Sequence, residues 1–291
     1  MLKRKLLKKS AVLFLATTMG ISMMTGQVEA KSNILNDIIG AILTPSGSSY
    51  SSRPKTNDFT PSAKRVTLPL DGTYSSIYFP GGIFDKTGIV AEHYFELDRP
   101  AEVDLHFIGH VNRLFEHFVF DSDSNDLGGY VGNHDNATDR NIVLRPGRYV
   151  VKTKIYSGSS EKSVEFEVKG IKHDIYTTVT SEGYRRYDAN VLYYNTEVVD
   201  YFPYATANEP NTKYYKFVLQ SPMEIKLMMD KLSKSCDLVI YLLDEDESEI
   251  DSWYGIYDNH FEKVKYLNAG TYYLKIKRNS KKGAAYSIRI K

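Results

Sequence analysis

Apolar and polar residues alternate along most of this chain with a period of two. Val103, Leu105 and Phe107 stand between Glu102, Asp104 and His106, and Val164, Phe166 and Val168 between Glu165 and Glu167. Successive side chains of a strand point to opposite faces, so this spacing predicts strands with one face buried. Ile225, Leu227 and Met229, then Tyr286, Ile288 and Ile290, repeat it, and Leu238 to Leu243 runs apolar without a break, as a central strand would. Asp71-Gly72, Pro80-Gly81-Gly82, Asp126 to Gly129, Pro146-Gly147 and Ala269-Gly270 supply turn chemistry between the runs. Tyr176 to Val179 and Val191 to Tyr194 read as further strands, and Tyr193, Tyr194, Tyr201, Phe202 and Tyr204 as aromatics packed within them. The expected class is all-β, built as antiparallel sandwiches of the jelly-roll kind.

The pattern recurs about 122 residues on. Leu97, Pro100, Glu102 and Leu105 return as Leu219, Pro222, Glu224 and Leu227; Gly132, Asp135, Asn136, Leu144, Gly147 and Tyr149 return, with one residue inserted, as Gly255, Asp258, Asn259, Leu267, Gly270 and Tyr272. A repeat this long is a duplicated domain and not a solenoid, whose units span roughly 20–50 residues. The division expected is a first sandwich over 64–170 and a second over 171–291.

Lys3, Arg4, Lys5, Lys8 and Lys9 precede an apolar stretch from Ala11 to Met24 and the small residues Val28 and Ala30. That order predicts a secretory signal peptide over 1–30, with an uncleaved anchor as the alternative. Residues 31–63 divide into a short amphipathic helix over 33–43 and a Ser- and Pro-rich linker. So short a helix would dock on its own protein, on a partner or another copy, or on a lipid surface.

Charge narrows the function. The full chain has 37 basic and 36 acidic residues; removing residues 1–30 takes five basic and one acidic, leaving 32 against 35. A slightly acidic chain is not a generic nucleic-acid binder. No transmembrane segment is expected in the mature chain. One cysteine, Cys236, allows no internal disulfide and reads as a small buried hydrophobe, so stability must come from burial and hydrogen bonds.

Three segments carry a resemblance. Tyr214 to Leu219 is an aromatic opening strand, Cys236 to Asp244 a central strand ending in an acidic turn, and Leu267 to Ile276 a closing strand with Gly-x-Tyr at its start. In these the second copy resembles the bacterial pre-peptidase C-terminal domain, a small β-sandwich. His93 to Leu97, Phe118 to Asp121 and Leu144 to Lys152 echo them in the first copy, which departs from the pattern at Arg113 to Glu116. The resemblance implies an accessory role: binding a matrix or polymer, solubilising a neighbour, or aiding export.

Chemistry-bearing residues are few. Asp121, Asp123 and Asp126 in one acidic loop, and Asp244 and Asp246 in its counterpart, are candidate calcium ligands, with a solvated hairpin turn as the plainer reading. No cofactor is required. His106 and His110, on one face of one strand, stand too far apart to share a zinc ion, though His117 could approach one of them across a hairpin. An unrecognised hydrolase would rest on His106, His117, His134 or the acidic loops, but no nucleophile, base and orienting group fall together. Trp253, Tyr254, Tyr257 and Tyr130 are the candidate binding aromatics, since flat rings grip sugars and extended peptides, with core packing as the alternative for Trp253. The expectation is a secreted, extracellular or cell-wall-associated protein without catalysis of its own. Its partner would be a polysaccharide or protein polymer; the alternative is an export helper or inhibitor of a secreted protein.

Overall fold

The computed structural model describes residues 63–83, 88–110, 114–133, 138–156, 162–206, 209–234, 237–256 and 259–291. The signal peptide, the helix and all but the last linker residue lie outside these, as do His134, Asp135, Asn136, Cys236, Tyr257 and Asp258.

The first half forms nine strands: β1 (Lys64–Thr67), β2 (Asp71–Phe79), β3 (Gly88–Leu97), β4 (Ala101–His110), β5 (Leu114–Asp121), β6 (Asp126–Asn133), β7 (Thr138–Leu144), β8 (Gly147–Ile155) and β9 (Val164–Asp174). The second forms β10 (Asn190–Val191), β11 (Glu197–Phe202), β12 (Thr212–Leu219), β13 (Met223–Lys231), β14 (Leu238–Leu243), β15 (Glu249–Ile256), β16 (His260–Leu267), β17 (Gly270–Arg278) and β18 (Ala284–Ile290). The sheets are β1-β3-β8-β5-β6 and β2-β9-β4-β7, then β10-β12-β17-β14-β15 and β11-β18-β13-β16. Adding nine to each strand number converts the first pair of sheets into the second. All pairings are antiparallel except β1 with β3 and β10 with β12, which run parallel. β9 continues past Gly170 to Asp174, and Tyr176 to Val179 is not strand.

The alternation explains the layers. In β4, Val103, Leu105 and Phe107 are buried while His106 and Ile108 are not; in β13, Ile225, Leu227 and Met229 are buried between more exposed neighbours. These residues meet the inward residues of the opposing sheet, among them Phe95, Val119 and Val151 in the first core and Phe217, Ile240 and Leu274 in the second. Each fully buried aliphatic or aromatic side chain contributes about 1.5–3 kcal/mol, so the inward set decides the fold. The repeated Gly-x-Tyr locks a corner of each core. Tyr149 donates its hydroxyl to the Arg145 carbonyl at 2.8 Å and stacks on Phe95, and Tyr272 does the same with Asn268, at 2.9 Å, and Phe217.

Both sandwiches lie in one compact unit. The edge strand β7 is covered where they meet: Val143 donates its amide to the Lys282 carbonyl and accepts from the Tyr204 amide. Covering an edge removes a template for unwanted strand addition. Val143 and Ile175 also pack on Tyr201 and Ala285. Lys234 donates its amide to buried Glu102, and Arg145 grips Glu209 at 2.6 and 3.2 Å. Gly283 sits in this seam at φ +86°, where a Cβ would stand 2.6 Å from the Phe202 carbonyl oxygen and 2.8 Å from Val143 Cβ. Gly283→Ala should therefore cost about 1–3 kcal/mol in urea unfolding; an unchanged midpoint would contradict this packing.

The first core contains two buried histidines. His93 bonds the Ser75 carbonyl through Nε2 and His117 bonds the Thr153 hydroxyl through Nδ1, while His93 Nδ1 and His117 Nε2 have no hydrogen-bond partner among the described residues. Burial pushes His93 down to about 4, and burial followed by the nearby His93 pushes His117 down to about 3. Both rings are thus neutral in the folded chain and charge more readily when it unfolds. Stability from this source is intact above about pH 6.5 and falls by roughly 1.4 kcal/mol per pH unit per histidine toward pH 4. His117→Leu should reduce the slope of unfolding free energy against pH between 6.5 and 4.5 by up to about 1.4 kcal/mol per pH unit. The same slope in variant and wild type would count against it.

Candidate ligand groove

The open side of the second sandwich is where its first strand fails to extend. β10 is two residues long: after Val191 the Leu192 amide bonds the Lys216 carbonyl, and the chain then turns through Asn195 at φ +61°, with the Thr196 amide donating to the Tyr193 carbonyl. In the first sandwich the matching β1 has four residues and is tied to β2 by the Ser75 hydroxyl, which donates to the Thr67 carbonyl. The shorter strand leaves a groove of about 460 Å³ between β10 and β11, lined by Thr178, Ser181, Asp188, Asn190, Tyr193 and Glu197 among others.

Its walls are fixed by their own hydrogen bonds. Asn190 accepts from the Ser181 amide and donates to the Ser181 carbonyl; the Ser181 hydroxyl donates to the Asp188 carbonyl at 2.7 Å. Thr178 Oγ1 accepts from the Val199 amide, and Glu197 accepts from the Ser287 hydroxyl at 2.8 Å. Tyr193 is 67% exposed at the rim, and Tyr176, Tyr187 and Tyr194 of the same segment are also exposed. Hydroxyls, an amide, two carboxylates and a flat ring on a rigid frame can hydrogen-bond and stack a polar ligand with little ordering cost.

The residues singled out from the sequence lie elsewhere. Trp253 and Tyr254 belong to β15, at the edge of the sheet opposite β10, with β12, β17 and β14 between them and the groove. Trp253 is half-buried, tilted on Phe261 at 5.6 Å and packed on the core, so it closes the far side of the sandwich. Tyr254 is exposed on the outer face, edge-on to Tyr241 at 6.0 Å. Lys275 lies over both Tyr241 and Tyr214 and extends this outer row. Tyr257 and the Tyr130 side chain are outside the described residues. Tyr201 and Phe202 pack as strand aromatics, whereas Tyr193 and Tyr194 do not: they stand in the turn after β10. The dense tyrosines of 176–194 were the signal for the groove, hidden because a two-residue strand has no readable period.

The acidic loops have the same geometry in both copies. Asp121 Oδ1 accepts from the Asp123 and Asn125 amides at 3.0 and 2.8 Å, and Asp244 Oδ1 from the Asp246 and Ser248 amides at 3.0 and 2.8 Å. Ser124 and Glu247 take the left-handed position, at φ 63° and 65°. Asp126 accepts from the Gly128 amide, and Asp123 and Asp246 are exposed. The carboxylate that opens each loop is thus engaged in closing its turn. Among the described residues, the three potential metal ligands with atoms within 4.8 Å of one another are His110, Glu165 and Glu167, on the outer faces of β4 and β9. His106 bonds Asp139 on the outer face of the same sheet, while His117 points inward and stacks on Phe107 at 4.8 Å, so the two do not meet.

No protein-family model matches the chain, and no curated protein matches it. Solved structures do. The pre-peptidase C-terminal domain of collagenase from Bacillus anthracis is similar at 19% identity and TM-score 0.31, over 35% of this chain and 94% of that one. Tripeptidyl peptidase 2 is similar at 10% identity and TM-score 0.27, over 78% of this chain and 24% of that one. The CUB1-EGF-CUB2 region of human MASP-1/3 is similar at 12% identity and TM-score 0.24, over 75% of this chain and 99% of that one.

Asp121→Ala and Asp244→Ala should each lose roughly 1–3 kcal/mol of stability, because two amides lose a charged acceptor. Asn at either position should restore most of it. Denaturant titration of the four variants checks this, and an Ala variant as stable as wild type would show that the turn does not need its carboxylate.

Proposed function

We propose that this chain is a secreted binding protein without catalysis of its own, which holds an extracellular polymer through two linked modules of the pre-peptidase C-terminal kind. The observation that carries this reading is the groove of the second sandwich, with Tyr193 on its rim and fixed hydroxyl, amide and carboxylate groups inside. Polysaccharides and extended peptides present repeated polar groups beside flat faces, which such a lining matches. β10 and β11 end their sheets at this groove, so an extended protein segment could also add to an edge there. Tandem placement would raise retention on a repetitive polymer without new contacts. Among the described residues no helix is long and apolar enough to cross a membrane; the basic and apolar N-terminal pattern is what supports secretion. Calcium at Asp121, Asp123, Asp126, Asp244 and Asp246 would brace the acidic turns, and would raise the melting temperature of wild type while leaving Asp121→Ala/Asp244→Ala unmoved.

Sedimentation with insoluble cell-wall glycan and collagen-like protein tests the reading. Wild type should be retained on one of them, and Tyr193→Ala should weaken retention on the order of tenfold or more. Trp253→Ala should act through stability and leave the affinity of the folded fraction unchanged. Absence of retention on every polymer tried would overturn the proposal.

A further inference from the structure

The second core holds a charged pair where the first holds hydrocarbon. Lys213 of β12 and Asp200 of β11 come from opposite sheets; they are 1% and 0% exposed, with Nζ 2.6 Å from Oδ1. Strand register equates them with Ala91 on β3 and Ile77 on β2. A buried ion pair gains little over hydrocarbon of similar volume, so stability alone does not account for this exchange.

Aromatic rings, two tyrosine hydroxyls and a second carboxylate enclose the pair. Tyr184, Tyr201 and Phe202 place their rings 5.5–5.7 Å from Nζ. Asp200 Oδ2 accepts from the Tyr215 hydroxyl at 2.5 Å, which in turn bonds the Tyr286 hydroxyl at 2.7 Å, and Oδ1 accepts from the Tyr201 amide at 2.7 Å. Glu182 Oε2 stands 3.7 Å from Nζ on the solvent side. A nitrogen bonded to one carboxyl oxygen lies at about the 3–3.5 Å from the carboxyl carbon at which attack begins.

We propose that Lys213 and Asp200 condense to an amide, a covalent cross-link between the two sheets of the second sandwich. The ammonium first passes a proton to Asp200, giving an amine and a carboxylic acid. Burial raises the Asp200 pKa and so favours the acid. The nitrogen lone pair then adds to the carboxyl carbon, and the charge that develops on Oδ2 is met by the Tyr215 hydroxyl. Glu182 takes a proton from the nitrogen and returns it to the Oδ1 hydroxyl, which leaves as water. The Nζ–Cγ bond forms and the Cγ–Oδ1 bond breaks; nothing is oxidised or reduced. The link removes both charges from the core and pins β11, which forms one wall of the groove, to β12. It does not depend on the polymer-binding proposal.

Intact-mass measurement of the purified, denatured chain, with its N-terminus determined on the same sample, decides the matter. Wild type should be lighter than its sequence by one water, and a digest should contain one branched peptide joining the segments around 200 and 213. Asp200→Ala and Lys213→Met should have their full sequence masses. Wild type at full mass, with the two peptides separate, overturns the proposal and leaves an ion pair. A water loss that persists in Lys213→Met overturns it equally, by placing the loss elsewhere. The wild-type result does not require either variant to fold.

Discussion

Burial of one face of every sheet is the constraint on which the rest of this molecule depends. The chain has one cysteine and cannot close an internal disulfide, so two sheets per half must hold each other by the side chains that alternate inward. Period two leaves the outward residues free to vary. It also fixes register, because a slip by one residue would turn Leu105 and Phe107 out and His106 in. The Tyr149 and Tyr272 corners secure the same point of both cores, and the two acidic turns close the same hairpin by the same pair of amides.

Within that shared frame, two of the differences between the halves lie on the side where the first strands run. In the first half β1 is long enough to lie against β2, and the core beneath is Ile77, Ala91, His93 and Phe166. The second half shortens the strand to two residues and exposes its tyrosines, while the positions beneath become Asp200, Lys213, Tyr215 and Tyr286. The altered polar core and the open groove are neighbours, since Glu197 and Val198 line the groove on the same strand that carries Asp200.

Much of this was legible in the sequence. Duplication, the long strands, the central apolar strand β14, the turn signals and the Gly-x-Tyr corners all leave periodic or compositional marks, and the structure has them. The open side did not show, because β10 is too short to carry a period and the strand reading placed Tyr193 and Tyr194 in packing. Alternation says which face a residue occupies but not which edge of a sheet it is near, so Trp253 read as a candidate binding ring although it closes the far side of the core. Lys213 and Asp200 were silent for a related reason: a charged residue at an inward position looks like a break in the pattern until its partner on the other sheet is known.

Native-state hydrogen exchange, resolved by strand, tests whether the two halves share one frame that is open on one side of the second. Protection across β3–β9 should be repeated strand for strand in β12–β18, while residues 176–199 should exchange faster than residues 64–79. Unrelated protection patterns in the two halves, or equal protection of those two segments, would contradict it.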